Sequence, residues 1–171
     1  VLRPQSARDP ELAERLRALA PDCAPVVAYG SLIPPDVLAI PAFGWVNVHF
    51  SLLPAWRGAA PVQHAIWHGD YITGVTTFRL DDGMDTGPVF GTATRSIGAR
   101  ESAGELLSAL APIGARLLVA TLDAMEAGQV DAVPQAGTPS FAPKITVDDA
   151  KVRWDIPAIG VDRQIRACTP D

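Results

Sequence analysis

The sequence predicts an α/β protein built on a doubly wound, mostly parallel sheet. Short apolar β-prone runs alternate with helical patterns along the chain. Several of those runs end in glycine-marked or polar turns, as strands leading to a ligand site do. With 171 residues, 48% of them hydrophobic and 19% charged, the chain is long and apolar enough for one domain with a real core.

Asp9 before Pro10 reads as an N-cap and first helical turn, and Leu12, Leu16 and Leu19 then share a face until Pro21. Pro25 to Tyr29 reads as a buried parallel strand ending at Gly30-Ser31. A short helical turn spans Pro34 to Leu38, and Trp45 to His49 is a second strand, with Asn47 and His49 on one side of it. The run Ser51 to Gly58 has no period and reads as an ordered loop. Pro61 opens a helix that Gly69 closes. Val75 to Leu80 and Val89 to Thr94 are strands joined by the acidic loop Asp81 to Gly87, an unusual late pair. Ser102 with Glu105 forms a capping box for a helix that runs to about Glu126 and ends at Gly128. From there to Trp154 no core pattern is visible, so 131–171 is expected to be a linker and the start of a further domain, after a first domain portion over 1–130. The opening Val1-Leu2-Arg3-Pro4 and the ending Thr169-Pro170-Asp171 read as cuts through a longer protein.

Composition narrows the function classes. No stretch reaches the roughly 20 apolar residues of a membrane span, so no membrane partner is expected. Cys23 and Cys168 form no CxxC pair or disulfide framework, which suits a reducing cytoplasm. A net charge of −5 disfavours a protein that grips nucleic acid by charge alone, unless basic parts lie elsewhere. A single copy is expected to act as a monomer.

Asn47, His49 and Asp85 are the candidate chemistry. All three fall at the carboxyl ends of strands or in the loops there, where ligands of open α/β sheets bind. An amide can donate to a developing oxyanion, an imidazole can donate or shuttle a proton near neutral pH, and a carboxylate can orient that imidazole or raise its pKa. The same residue types also suit structural duty, a hydrogen-bonded strand histidine and a turn-forming aspartate. Neither Ser51 nor Cys23 has the context of a covalent nucleophile. His64 and His68 have the spacing of a zinc pair, but Ala65 stands where a zinc protease has its glutamate, and solvent-facing or capping histidines are the plainer reading. No GxGxxG or GxxxxGK[ST] loop is present.

The run Asn47-Val48-His49-Phe50-Ser51-Leu52-Leu53-Pro54-Ala55-Trp56-Arg57-Gly58-Ala59-Ala60-Pro61-Val62-Gln63, with Asp85-Thr86-Gly87, resembles the signature of the folate-dependent formyltransferases. Trp56 to Gln63, Ala65-Ile66-Trp67 and Gly69-Asp70 resemble most closely the branch whose acceptor is initiator methionyl-tRNA. The resemblance implies a three-layer, Rossmann-like formyltransferase fold, 10-formyltetrahydrofolate as donor and no metal. It also implies that Asn47, His49 and Asp85 are catalytic and that Ser51, Leu52, Leu53 and Pro54 contact folate. The turn Gly30, Ser31, Leu32, Ile33 and the loop Asp81, Asp82, Gly83 would line the pterin pocket. The first strands, with a basic loop for tRNA, would precede Val1, and a C-terminal β-barrel would follow Asp171. The alternatives are a formyltransferase acting on glycinamide ribonucleotide or an amino-sugar nucleotide, and a non-catalytic folate- or RNA-binding relative.

Overall fold

The computed structural model describes Pro4 and residues 6–170; Val1 to Arg3 and Asp171, part of the ends read as cuts, lie outside the described residues. The elements in order are α1 (Pro10–Leu19), β1 (Ala24–Val27), α2 (Pro35–Leu38), β2 (Trp45–His49), α3 (Pro61–His68), β3 (Ile72–Arg79), β4 (Val89–Ser96), α4 (Ala103–Glu126) and α5 (Ala158–Ala167). The local signals hold. The Asp9 side chain accepts from the Glu11 N–H, Ser102 and Glu105 complete their capping box, and Gly69 closes α3 in the left-handed region.

The α/β fold stands, but the pairing is mixed rather than mostly parallel. The sheet order is β1-β2-β3-β4, with β1–β2 parallel and both β2–β3 and β3–β4 antiparallel. The reason lies in the connections. His49, the last residue of β2, pairs with Thr76, so β3 has already begun beyond the carboxyl end of β2. The eight-residue α3 does not carry the chain back down the sheet, and β3 re-enters it from the same end. A hairpin through the acidic loop then makes β4 antiparallel as well. β1 differs too. It is an edge strand among the described residues, and Val27 is half exposed instead of buried.

The sheet separates two cores. On one side Ala13 of α1 and Val37 of α2 cluster with Ile33, and Trp45 packs against them and donates its indole N–H to the Val37 carbonyl at 3.0 Å. On the other, Val48 and Val75 meet Val62 and Ile66 of α3, Leu106 and Leu110 of α4 and Ala167 of α5. Gly114 lets α4 sit close: a Cβ there would lie 3.0 Å from Val48. A hydroxyl pair, Thr77 with Thr121 at 2.9 Å, ties α4 to β3. Because side chains alternate along a strand, Val46 and Val48 face α4 while Asn47 and His49 face the opposite side.

Two features stand apart from the expectations. By length and composition alone α4 could cross a membrane, contrary to the expectation that no stretch would. It carries only three charged residues, Glu105, Arg116 and Asp123, before Glu126, and one apolar face is taken up by the sheet. The segment 131–171 folds back on the domain. Val133 bridges to Val89, Phe141 to Arg57, and α5 packs against α3. Helix α5 carries no strong sequence signal, since its N-cap position is Pro157 and makes no side-chain cap.

Candidate active site

Strands β2 and β3, the loop after β2, the acidic loop and the stretch from Gln135 to Ser140 build the site. β2 presents Asn47 and His49 on one face. Phe78 of β3 lies directly across from Asn47, fully buried, with its ring edge-on to His49 at 6.4 Å between centroids. The loop after β2 is bound tightly to itself. The Ser51 hydroxyl donates to the Ala55 carbonyl at 2.5 Å, and the Thr76 hydroxyl donates to Ser51 O at 2.7 Å while accepting from Leu53 N–H at 3.2 Å. Ser51 and Leu53 are therefore buried and their polar atoms are spent inside the loop. Leu52 lies over Gly74, and the Leu53–Pro54 peptide is cis.

The end of that loop meets the catalytic candidates. His49 Nε2 lies 2.8 Å from the Trp56 carbonyl, so the proton sits on Nε2 and donates to it. His49 Nδ1 then faces Asp85 Oδ2 at 3.7 Å, beyond hydrogen-bond length but within ion-pair distance. The same Asp85 oxygen accepts from the Gly58 N–H at 2.7 Å. Asn47 Oδ1 is buried and has no hydrogen-bond partner. Folded proteins rarely keep such an atom without a use for it.

Burial shifts His49 in the direction opposite to that expected from a carboxylate neighbour alone. The ring loses its water, which pushes its pKa below the ordinary 6.5; Asp85 and the Trp56 carbonyl pull it back only in part. His49 is therefore neutral at rest near pH 7. The unfolded chain takes up a proton below about pH 6.5 that the folded ring resists, so stability falls as pH drops through that range. Urea midpoints measured from pH 7.5 to 5.5 are expected to fall more steeply in the wild type than in His49→Asn. Equal slopes would remove His49 as the cause.

The remaining predicted residues fall in different places. Gly30, Ser31 and Leu32 are exposed, whereas Ile33 is buried in the α1–α2 core. Asp81 is a turn-former: its carboxylate accepts from Gly83 N–H at 3.1 Å and from the Thr86 hydroxyl at 2.7 Å. Asp82 is exposed, and Gly83 is pressed against Thr86. His64 and His68 are not a metal pair. His64 bonds the Pro143 carbonyl, His68 bonds the His64 carbonyl, and both rings pack on Trp56. Among the described residues no group of His, Cys, Asp and Glu is placed to hold a metal ion.

The sequence reading missed several contributors. The Trp56 carbonyl, the Gly58 N–H, Gln135 and Ser140 hold the site, and most of them act through backbone, which has no residue-type signature. Ser140 accepts from Trp56 N–H at 2.9 Å through its hydroxyl and from Arg57 N–H at 2.9 Å through its carbonyl. Gly58 has φ +122°, and a Cβ there would come within 2.7 Å of the Ala142 carbonyl. Gly58→Ala is thus expected to cost about 1–3 kcal/mol in strain, and to lower activity by moving the donor to Asp85. Unfolding midpoints and turnover on one preparation check this; an unchanged midpoint would mean that the loop accommodates the methyl group.

A formyl transferase family profile matches residues 1–122. The chain belongs to the formyl transferase family. The methionyl-tRNA formyltransferase of Salinispora arenicola is 61% identical over 171 residues, which is 99% of this chain and 56% of that protein. That of Streptomyces coelicolor is 58% identical over 99% of this chain and 55% of its own length. The chain therefore spans a little over half the length of the curated relatives it matches. Among solved structures, HypX from Aquifex aeolicus in complex with tetrahydrofolic acid superposes with a TM-score of 0.76. It covers 93% of this chain and 28% of HypX at 21% identity, a likeness that shows the fold.

Proposed function

We propose that the full-length protein transfers a formyl group from 10-formyltetrahydrofolate to the amino group of initiator methionyl-tRNA. The observation that carries this reading is the convergence of Asn47, His49 and Asp85 at one end of the sheet, in a chain about 60% identical to methionyl-tRNA formyltransferases. The residues fit a formyl donor and an amine. Asn47 has a buried unpartnered oxygen, His49 a lone pair on Nδ1, and Asp85 an anchored carboxylate.

When bound, the folate supplies the formyl carbon. Asn47 donates its amide N–H to the oxygen on which charge develops as the amine attacks. Neutral His49 receives the proton leaving the amine, relayed by water, at Nδ1. The new imidazolium then faces Asp85 at 3.7 Å, in a site dry enough to make that attraction strong. Protonated His49 then returns the proton, through water, to the nitrogen that carried the formyl group as its bond to the formyl carbon breaks. This releases tetrahydrofolate and leaves His49 neutral; Asp85 thus supports a charge that exists only during turnover. Ser51 to Pro54 form the folate-side loop, with Gly30 to Ile33 and Asp81 to Gly83 toward the pterin. Residues 1–130 supply the catalytic portion, and 131–171 lead to a further domain while strapping the site. The protein works in the cytoplasm as a monomer. With a net charge of −5, this segment leaves the grip on tRNA phosphates to the rest of the protein.

A formyl-transfer assay on the full-length protein, with initiator methionyl-tRNA, glycinamide ribonucleotide and an amino-sugar nucleotide in parallel, tests the acceptor. Preference for methionyl-tRNA is expected. Transfer to either small acceptor alone would replace it.

A further inference from the structure

Gln135 lies beyond the residues matched by the family profile, in the strap between Val133 and Ser140. Its side chain is spent on both loops of the site. Nε2 donates to the Asp85 carbonyl and to the Gly87 carbonyl, each at 2.8 Å. Oε1 accepts from Arg57 Nε at 3.2 Å and from Arg57 Nη2 at 2.6 Å. Both amide hydrogens and both lone pairs are thereby used.

These contacts surround the His49–Asp85 pair without including it. Asp85 has φ +52°, a left-handed conformation that a residue with a Cβ keeps only where its surroundings hold it. Arg57 stands between Trp56, whose carbonyl binds His49, and Gly58, whose N–H binds Asp85. One side chain therefore joins the backbone of the Asp85 loop to the guanidinium of the residue between the two groups that hold the pair.

We propose that Gln135 is a positioning residue for the His49–Asp85 pair, acting through the Asp85 backbone and the Arg57 guanidinium. Its effect on turnover rests on the reading of the site as a formyl-transfer centre; its effect on geometry does not. Loosening Asp85 removes the negative charge that partly offsets the burial of His49, so the ring should become harder to protonate.

The test uses the full-length protein with Gln135→Met, which keeps the chain length and removes the amide. NMR titration of His49 is expected to give a lower pKa than the wild type. Turnover should fall about 10- to 100-fold with both KM values unchanged, the signature of a displaced reacting group. A lower pKa in a protein that formylates no acceptor would uphold the positioning role while the proposed function fails. An unchanged His49 titration would overturn the proposal, whatever happens to the unfolding midpoint, because pinning the strap alone does not alter the field at His49. If Gln135→Met does not fold, Gln135→Asn, whose amide is one methylene short, is read by the same titration and against the same criterion.

Discussion

On the proposed function, Asn47→Ala in the full-length protein is expected to lower kcat by about 10²–10³, or about 2.7–4 kcal/mol of transition-state stabilisation, without weakening the fold. The two halves of that expectation come from the two ends of one amide. Asn47 sits on β2 facing away from α4, next but one to His49, and its Oδ1 is buried with no partner. A buried acceptor without a partner costs the folded state about 1–3 kcal/mol, so its removal should leave stability level or raise it. The amide is worth keeping only if it acts in turnover, when its N–H meets a developing negative charge. Single-turnover formyl transfer and urea unfolding on the same preparation separate the effects. If kcat holds while stability falls, Asn47 is a structural residue and another donor must serve the oxyanion.

Phe78→Ala should produce the largest loss of stability near the site, about 3–5 kcal/mol. Phe78 is fully buried at the centre of the sheet, opposite Asn47 and edge-on to His49. Truncation leaves a cavity on a strand paired on both sides, in regular register with β2 and across an irregularity at Thr77/Phe78 with β4, so the walls have little freedom to collapse. The same cavity removes the surface that keeps the His49 ring oriented and dry. Activity is therefore expected to fall together with the unfolding midpoint, and the acid sensitivity of stability to weaken as water reaches the ring. Tryptophan fluorescence during urea unfolding reads the midpoint. A loss under about 1 kcal/mol would place Phe78 among positions that repack freely, and the account of His49 as held by this wall would fail.

Much of this was legible from residue types and spacing. Asp9-Pro10, Ser102 with Glu105, and Gly69 mark helix ends because capping is chemistry within one turn of chain. Alternation along Trp45 to His49 placed Asn47 and His49 on one face for a similarly local reason, the two-residue period of a strand. The run from Asn47 to Gln63 with Asp85 pointed to the family, which the match over residues 1–122 bears out.

What the sequence could not determine depends on distance through space. The direction of β3 was decided by where α3 delivers the chain: the strand is buried along its length except at its two ends, as parallel strands usually are, yet it pairs antiparallel on both sides. The state of His49 was decided by a competition between burial and one carboxylate at 3.7 Å, and burial is a property of the assembled layers. Gln135 occupies a proline- and glycine-punctuated stretch with no period, yet its amide joins groups 48 to 78 residues away in sequence. Local rules determine which faces and ends each segment has. Which of them meet, and what charge survives between them, is decided only when the chain closes on itself and excludes water.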